Sequence, residues 1–364
     1  MMFYESELSA LKRSNRYRSR SVMQESLMDF ASNDYLGLSH KRVLHEEACN
    51  TLSALSAHAT KASMLVNGYH KVHQDFEAAL CAANGFEEGI VVGSGFCANI
   101  ALIEALVRKG DRLFMDELYH ASGVLASKIG SIDVVYFKHN DATELRRLLK
   151  SSNARRNIVA IEGIYSMDGD ICSREIFDAV DEAEALLIVD EAHSSGVVGE
   201  KLMGVFDHYA LDIKPNYIKM GTLGKAYGSF GAFILASSHI IEYLINRAKP
   251  IIYATSLSLY DTLLAHKSLE YILKNTQELK SEIASRQAVV HRELGISIDG
   301  LIVPILIGSN TKVIEMQQEL HRLGYSVGAI RQPTVFSAIL RIIACLSQES
   351  TELERLLGVI GSMR

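Results

Sequence analysis

Leu186-Leu187-Ile188-Val189-Asp190-Glu191-Ala192-His193 is the stretch that decides the fold. An unbroken apolar run with no polar alternation reads as a strand buried on both faces, the habit of a parallel sheet. The strand ends in an acid and an imidazole. Downstream, the apolar run around Tyr217-Ile218 leads into Gly221-Thr222-Leu223-Gly224-Lys225-Ala226-Tyr227-Gly228. Ligands of such sheets bind beyond the carboxyl ends of the strands. Asp190, His193 and Lys225 are thereby expected at one end of one sheet.

A glycine-flanked lysine after one strand and an Asp–His pair after another suit an enzyme built around pyridoxal phosphate. There the lysine amine takes up the cofactor aldehyde, and an aspartate pairs the pyridinium nitrogen. An amine is a nucleophile only when deprotonated, and burial near other cations lowers its pKa. Gly224 and Gly228 leave room for a bulky group beside the backbone. A histidine shortly after the aspartate can stack over the ring.

The chain has 364 residues, enough to bury a large core and to divide into more than one domain. A hydrophobic content of 48% and a charged content of 22% suit a globular protein, and a net charge of −6 gives no basic field for nucleic acid. The basic residues Lys12, Arg13, Arg16, Arg18 and Arg20 cluster near the start and read first as a solvated helix face. Residues 1–10 carry Glu5 and Glu7 and no apolar run, so no signal peptide is expected. No stretch reaches the ~20 apolar residues that span a bilayer. Five scattered cysteines without a C-x-x-C pair suggest a reducing cytoplasm and no structural zinc. His70 and His73 share a helix face, but two histidines alone do not make a metal site.

Strands are expected at 89–92, 112–115, 133–137, 157–162, 185–190, 216–220 and 231–236. Helices are expected between them at 97–107, 122–130 and 144–150. That alternation implies an α/β fold with a mainly parallel sheet covered by helices. Ser94, His120 and Ser166, like Asp190 and Lys225, closely follow strands. Before the sheet, helices are expected at 5–18, 41–56 and 73–83. Beyond Tyr253 the pattern changes to long helices at 257–275 and 278–294. A smaller α+β unit follows, with elements at 302–307, 311–323, 326–330, 340–343 and 352–360. The expected divisions are an N-terminal arm at 1–38, a large cofactor-binding domain at 39–246 and a small C-terminal domain at 247–364.

Gly93-Ser94-Gly95-Phe96-Cys97-Ala98 raises a rival reading. It fits G-x-G-x-x-A between a strand and a helix, with Asp116 near the spacing of a dinucleotide site. An NAD-dependent dehydrogenase using the Gly93–Gly95 loop is therefore an alternative. The N–H groups of a helix N-terminus bind any phosphate, including that of pyridoxal phosphate. The dehydrogenase reading leaves Asp190, His193 and Lys225 without a task.

Several further blocks carry a resemblance. They are Ser32-Asn33-Asp34-Tyr35-Leu36-Gly37-Leu38-Ser39, Asn67-Gly68-Tyr69 and Ser94-Gly95-Phe96-Cys97-Ala98-Asn99. His120-Ala121-Ser122, Phe137-Lys138-His139-Asn140-Asp141, Tyr165-Ser166-Met167-Asp168-Gly169-Asp170 and Arg331-Gln332-Pro333-Thr334-Val335 follow. Together with the Asp190 and Lys225 blocks, they resemble the α-oxoamine synthases, pyridoxal-phosphate enzymes of fold type I. The resemblance runs from about Arg18 to the C-terminus. It implies Lys225 as the residue joined to the cofactor, Asp190 on the pyridinium nitrogen and His193 on the ring oxygen. His120 would stack on the ring and touch substrate. Ser166, Thr222 and the backbone of Gly95 and Phe96 would hold the cofactor. The family site lies in a homodimer interface, where Thr255 of the partner subunit would reach the phosphate.

On the substrate side the resemblance implies Arg18 for the far carboxylate of the acyl chain and Thr334 as a contact. Arg341 is the candidate for the amino-acid carboxylate, a task suited to a bidentate guanidinium. Asn33 either lines the site or shapes its turn. The implied activity is a cytoplasmic acyl transfer, a decarboxylative condensation of L-alanine with a pimeloyl thioester on a carrier protein or coenzyme A. Carbon dioxide and free thiol are released, in a step of biotin biosynthesis. Other members use glycine or serine and other thioesters, such as 2-amino-3-ketobutyrate ligase or a quorum-signal synthase. The chain departs from the family at Thr60-Lys61-Ala62-Ser63-Met64-Leu65-Val66, where a glycine-rich run is usual. The Arg18–Asn33 and Thr334–Arg341 segments are also short, and both lie in regions that recognise the acyl group.

Overall fold

Alternate residues of the central strands divide between two apolar layers. The computed structural model describes residues 4–129 and 132–363. Its strands are β1 (Met28–Asp29), β2 (Glu88–Val92), β3 (Arg112–Asp116), β4 (Asp133–Phe137), β5 (Asn157–Glu162) and β6 (Leu186–Asp190). β7 (Tyr217–Thr222), β8 (Ala232–Ala236), β9 (Ile302–Gly308), β10 (Tyr325–Ser326), β11 (Gly328–Ile330) and β12 (Ala338–Ile343) follow. Seven of them form one sheet in the order β2-β8-β7-β6-β5-β3-β4. The pairs from β4 to β7 are parallel, and β8 runs antiparallel to both its neighbours.

Along β5, Ile158 and Ala160 enter one core while Val159 and Ile161 enter the other. The first core is closed by helices Gly95–Leu106 and Ser238–Arg247, the second by Lys71–Asn84, Ala142–Lys150 and Arg174–Glu182. Each aliphatic side chain fully buried in this way contributes about 1.5–3 kcal/mol. The period-2 alternation also sorts the polar strand ends. Glu162 and Asp190 continue the register of Ala160 and Ile188 and face the Gly95–Leu106 helix. Glu191 and Lys219 fall on the other face and pair there, both fully buried, with Nζ and Oε1 3.6 Å apart. Gly204 packs on Glu191 at φ +89, where an added Cβ would lie 1.9 Å from Oε2.

All seven strands expected for the large sheet are present. The single element expected at 326–330 is two strands, β10 and β11. β10 pairs in parallel with β1 near the start of the chain, and β11, β12 and β9 form a separate antiparallel sheet. The first helix is Glu5–Arg13 rather than 5–18. Asn15 sits at φ +53, and the N–H groups of Arg16 and Tyr17 turn back to the Leu11 carbonyl. A left-handed residue at that point stops a helix. Gly130, expected to close the helix seen as Ala121–Ile129, lies outside the described residues. Helices Arg174–Glu182 and Ser238–Arg247 were not expected from the sequence pattern.

Candidate active site

The sheet register puts the polar residues together. β6 ends at Asp190, the next turn carries His193, and the turn after β7 carries Lys225. Lys225 Nζ lies 2.7 Å from His193 Nε2. His193 Nδ1 meets Tyr35 Oη, and Tyr35 lies 3.3 Å from Asn33 Oδ1. Asn33 Oδ1 also accepts from Arg341 Nη1 at 2.9 Å, and Arg341 Nε donates to the Ser166 carbonyl at 2.8 Å. One assignment of protons satisfies the series. Lys225 donates to Nε2 of a neutral imidazole, His193 Nδ1–H donates to Tyr35, and Tyr35 O–H donates to Asn33.

Electrostatics agree with that assignment. Burial pulls the Lys225 amine down to about 8, with the charge of Asp190 opposing the shift and nearby Arg341 adding to it. Burial holds His193 well below the ordinary imidazole range, and Lys225 and Arg341 reinforce the effect. His120 is lowered by burial, with Asp190 opposing and Lys225 adding. His120 Nδ1 accepts from the Ser122 backbone N–H at 3.3 Å and lies 2.7 Å from Ser122 Oγ. The Nε2 side therefore carries the proton.

Asp190 is fixed by two donors, Asn99 Nδ2 on Oδ2 at 2.8 Å and the Ala192 N–H on Oδ1 at 3.0 Å. Asn99 is itself oriented by Tyr119 Oη at 2.6 Å and by Ser122 Oγ at 2.9 Å. Gly95 opens the helix next to this carboxylate. A Cβ on Gly95 would lie 3.8 Å from Thr222 Cβ, and one on Gly93 would meet nothing within 4 Å. The first N–H groups of a helix have no intrahelical acceptor; here Ser94 Oγ accepts from that of Cys97, which leaves those of Gly95 and Phe96. Phe96 is exposed at the same helix start.

These residues fit pyridoxal phosphate. An amine of lowered basicity, a buried carboxylate held by two N–H donors and an anion-binding helix start lie around one site. Arg341 Nη2 is buried and has no hydrogen-bond partner among the described residues, the mark of a waiting acceptor. The dinucleotide alternative fails on Asp116. That residue is fully buried on the opposite face of the sheet, where it accepts from Leu118 and Asn140 and meets His139 at 3.1 Å. No ribose can reach it. Gly228 is also corrected: an added Cβ would lie 2.5 Å from the Ser39 N, so it serves a backbone crossing rather than cofactor room.

The other expected residues lie further out. Arg18 Nη2 bonds Thr334 Oγ1 at 3.2 Å, so these two come together, both exposed. Among the described residues no hydrogen bond links them to the buried series. Thr255 is exposed, with no hydrogen bond to the site among the described residues. It adjoins Ser256, whose N–H bonds the Ala62 carbonyl at 3.0 Å within the segment that departs from the family. Sequence reasoning missed Tyr35, Asn99, Ser122 and Glu162. A lone Asn within Gly95–Leu106 and a Glu closing β5 were the available signals.

The sheet and its polar end define a fold type I pyridoxal-phosphate-dependent transferase. The aminotransferase class I and II model matches residues 25–360. The 8-amino-7-oxononanoate synthase of Helicobacter pylori is 42% identical over 98% of this chain and 96% of its own length. A putative 8-amino-7-oxononanoate synthase of Aquifex aeolicus is 34% identical over 97% and 96%. Among solved structures, a serine palmitoyltransferase of S. paucimobilis with bound PLP–myriocin aldimine superposes with a TM-score of 0.89 at 22% identity, covering 99% of this chain and 97% of that one. The 8-amino-7-oxononanoate synthase of Francisella tularensis superposes with a TM-score of 0.77 at 26% identity, covering 93% and 98%. The chain belongs to the aminotransferase class I and II family, within its α-oxoamine synthase branch, and is a pyridoxal-phosphate-dependent acyltransferase.

Proposed function

We propose that the chain condenses L-alanine with a pimeloyl thioester to give 8-amino-7-oxononanoate, carbon dioxide and free thiol, a step of biotin biosynthesis. The observation that carries this reading is the buried, unpartnered Arg341 Nη2 on the hydrogen-bonded series that ends at Lys225. It offers a free guanidinium nitrogen to a carboxylate near an amine of lowered basicity. The names of the 42% and 34% identical relatives support the particular substrates.

Lys225, Asp190, His193, Ser166, Thr222 and the Gly95–Phe96 backbone would hold the cofactor, with His120 as the stacking residue. Pyridoxal phosphate, when bound, supplies the electrophilic carbon for the amino group and the sink for electrons at Cα. Arg341 binds the amino-acid carboxylate. Lys225 Nζ takes the Cα proton, its lowered pKa keeping a useful fraction of free amine near neutrality. A new carbon–carbon bond forms as the acyl carbon–sulfur bond breaks. The carboxylate leaves as carbon dioxide, and a proton returns to Cα. His120 Nε2–H is placed to donate to developing negative charge. Arg18, steadied by Thr334, receives the far carboxylate, and Asn33 orients Arg341.

Two copies complete the site in this reading, with Thr255 of the partner subunit at the phosphate, and the enzyme works in the cytoplasm. In the same reading residues 1–38 are an N-terminal arm, 39–246 the cofactor-binding domain and 247–364 the small domain. Incubating the purified enzyme with L-alanine and a pimeloyl thioester tests the proposal. Product and free thiol are expected in equal amounts. Turnover with glycine or serine but none with L-alanine would overturn it.

A further inference from the structure

Glu162 and Asp190 are register partners on the parallel strands β5 and β6. Both are buried and face the same side of the sheet. Adjacent strands lie ~4.8 Å apart, so two carboxylates share a small low-dielectric volume. Their donors differ. Each oxygen of Asp190 accepts an N–H. Glu162 Oε2 accepts the Ser166 N–H at 3.0 Å, while Oε1 is buried with no partner among the described residues. An ionised carboxylate has acceptor sites only, and leaving them unmet in the interior is costly. Two like charges at this spacing do not both ionise. The donor count assigns the charge to Asp190 and the proton to Glu162.

The remaining charged and titratable neighbours fit the assignment. Burial and Asp190 raise the Glu162 pKa well above the carboxylate range, and Asp116 on β3 adds to this. Lys225, beyond β7, is the opposing cation. Tyr35 and Tyr119, whose phenols also sense Glu162, are neutral through burial. Arg341 on β12 is held one step away: the Ser166 carbonyl accepts from its Nε, while the Ser166 N–H donates to Glu162.

We propose that Glu162 works as a neutral carboxylic acid, a positioning residue that fixes Arg341 through the Ser166 backbone and leaves Asp190 the only charged carboxylate of the pair. The inference rests on the reading of Arg341 as the amino-acid carboxylate site. Its consequence is specific. Removing the side chain frees the Ser166 backbone and weakens amino-acid binding, whereas removing only its capacity to ionise does neither.

The test uses the holoenzyme and the variants E162Q and E162A. L-Alanine is titrated through the cofactor absorbance change, beside kcat with the thioester and a thermal melt. E162Q is expected to keep the L-alanine Kd and kcat within about threefold of the parent. E162A is expected to weaken L-alanine binding by about tenfold or more, with a smaller change in kcat. An E162Q enzyme as defective as E162A would overturn the inference, because the charge would then be required. An E162A enzyme with unchanged L-alanine affinity would overturn it as well. Should E162A fail to fold, E162Q decides alone: near-parental affinity supports the neutral acid, and a tenfold loss removes it. The alanine titration needs no thioester, so failure of the parent enzyme to turn over pimeloyl thioester would sink the functional reading separately.

Discussion

Asn99 Nδ2 lies 2.8 Å from Asp190 Oδ2, so a helix packed on one face of the sheet grips the carboxylate that ends a strand. The grip is relayed, because Tyr119 donates to Asn99 Oδ1. Without it Asp190 loses the donor to one buried oxygen. That raises the cost of its charge and weakens its hold on a pyridinium partner. Asn99→Leu is therefore expected to lower pyridoxal phosphate affinity about tenfold and to destabilise the fold by about 1–3 kcal/mol. Cofactor titration by absorbance and a denaturant melt would measure both; an unchanged cofactor Kd would show that Asp190 needs no such donor.

Lys225 gives a pH prediction on the cofactor-free protein. Capture of an aldehyde requires the free amine, whose pKa is pulled down to about 8. The second-order rate of pyridoxal phosphate attachment should rise with pH and reach half its plateau near pH 8, against about 10.4 for an ordinary lysine. Lys225→Ala should abolish borohydride-fixed cofactor and lower turnover by at least about 10²–10⁴-fold. Fixed cofactor at full stoichiometry in that variant would move the attachment point elsewhere.

His139 is clamped between Asp116 at 3.1 Å and Asp170 at 2.8 Å, across strand ends on the face opposite Asp190. Burial opposes its proton, but the two carboxylates win and raise its pKa to about 10. A folded pKa above the unfolded value stabilises fully below the unfolded pKa of ~6.5, and the benefit fades as pH rises through about 10. His139→Phe should cost on the order of 3 kcal/mol near neutrality. The gap between parent and variant should narrow between pH 7 and 10. Parallel stability curves across that range would remove the charged clamp.

Arg18 and Thr334 make a prediction about selectivity. Arg18→Ala should lower kcat/KM for a carboxylate-tailed acyl thioester by about 10–100-fold, the scale of a lost charge-assisted hydrogen bond. A thioester of equal length with an uncharged tail should change far less. Equal losses for both would take Arg18 out of the acyl site. Thr334→Val, which removes the 3.2 Å bond that steadies Arg18, should give a weaker version of the same split.

Strand order aside, the large sheet was legible because its strands are continuous apolar runs, and a buried parallel strand has no other signature. The helix Arg174–Glu182 was not, because it is a single short stripe of Ile176, Phe177 and Val180 among charges. Asp190, His193 and Lys225 could be picked out because each closes a strand or follows one within a few residues. Tyr35, Asn99 and Glu162 could not, because their tasks depend on which neighbours the sheet order supplies.

The G-x-G-x-x-A fingerprint marks the limit of local reading. It marks a helix start in either interpretation, and any helix start offers N–H groups without intrahelical acceptors. Only the strand register shows that Asp116 faces away from Gly95 and is consumed by His139 and Asn140.

The sequence by itself determined the fold class and marked Lys225 and Asp190 as polar residues at one end of one sheet. Those depend on hydrophobic period and on residues close to strand ends, both local properties of the chain. Tertiary structure alone decided how Lys225 connects through His193, Tyr35 and Asn33 to Arg341, and which of two neighbouring carboxylates keeps its proton. Hydrogen-bond partners and local dielectric are set by segments far apart in the chain, so no spacing along it could state them.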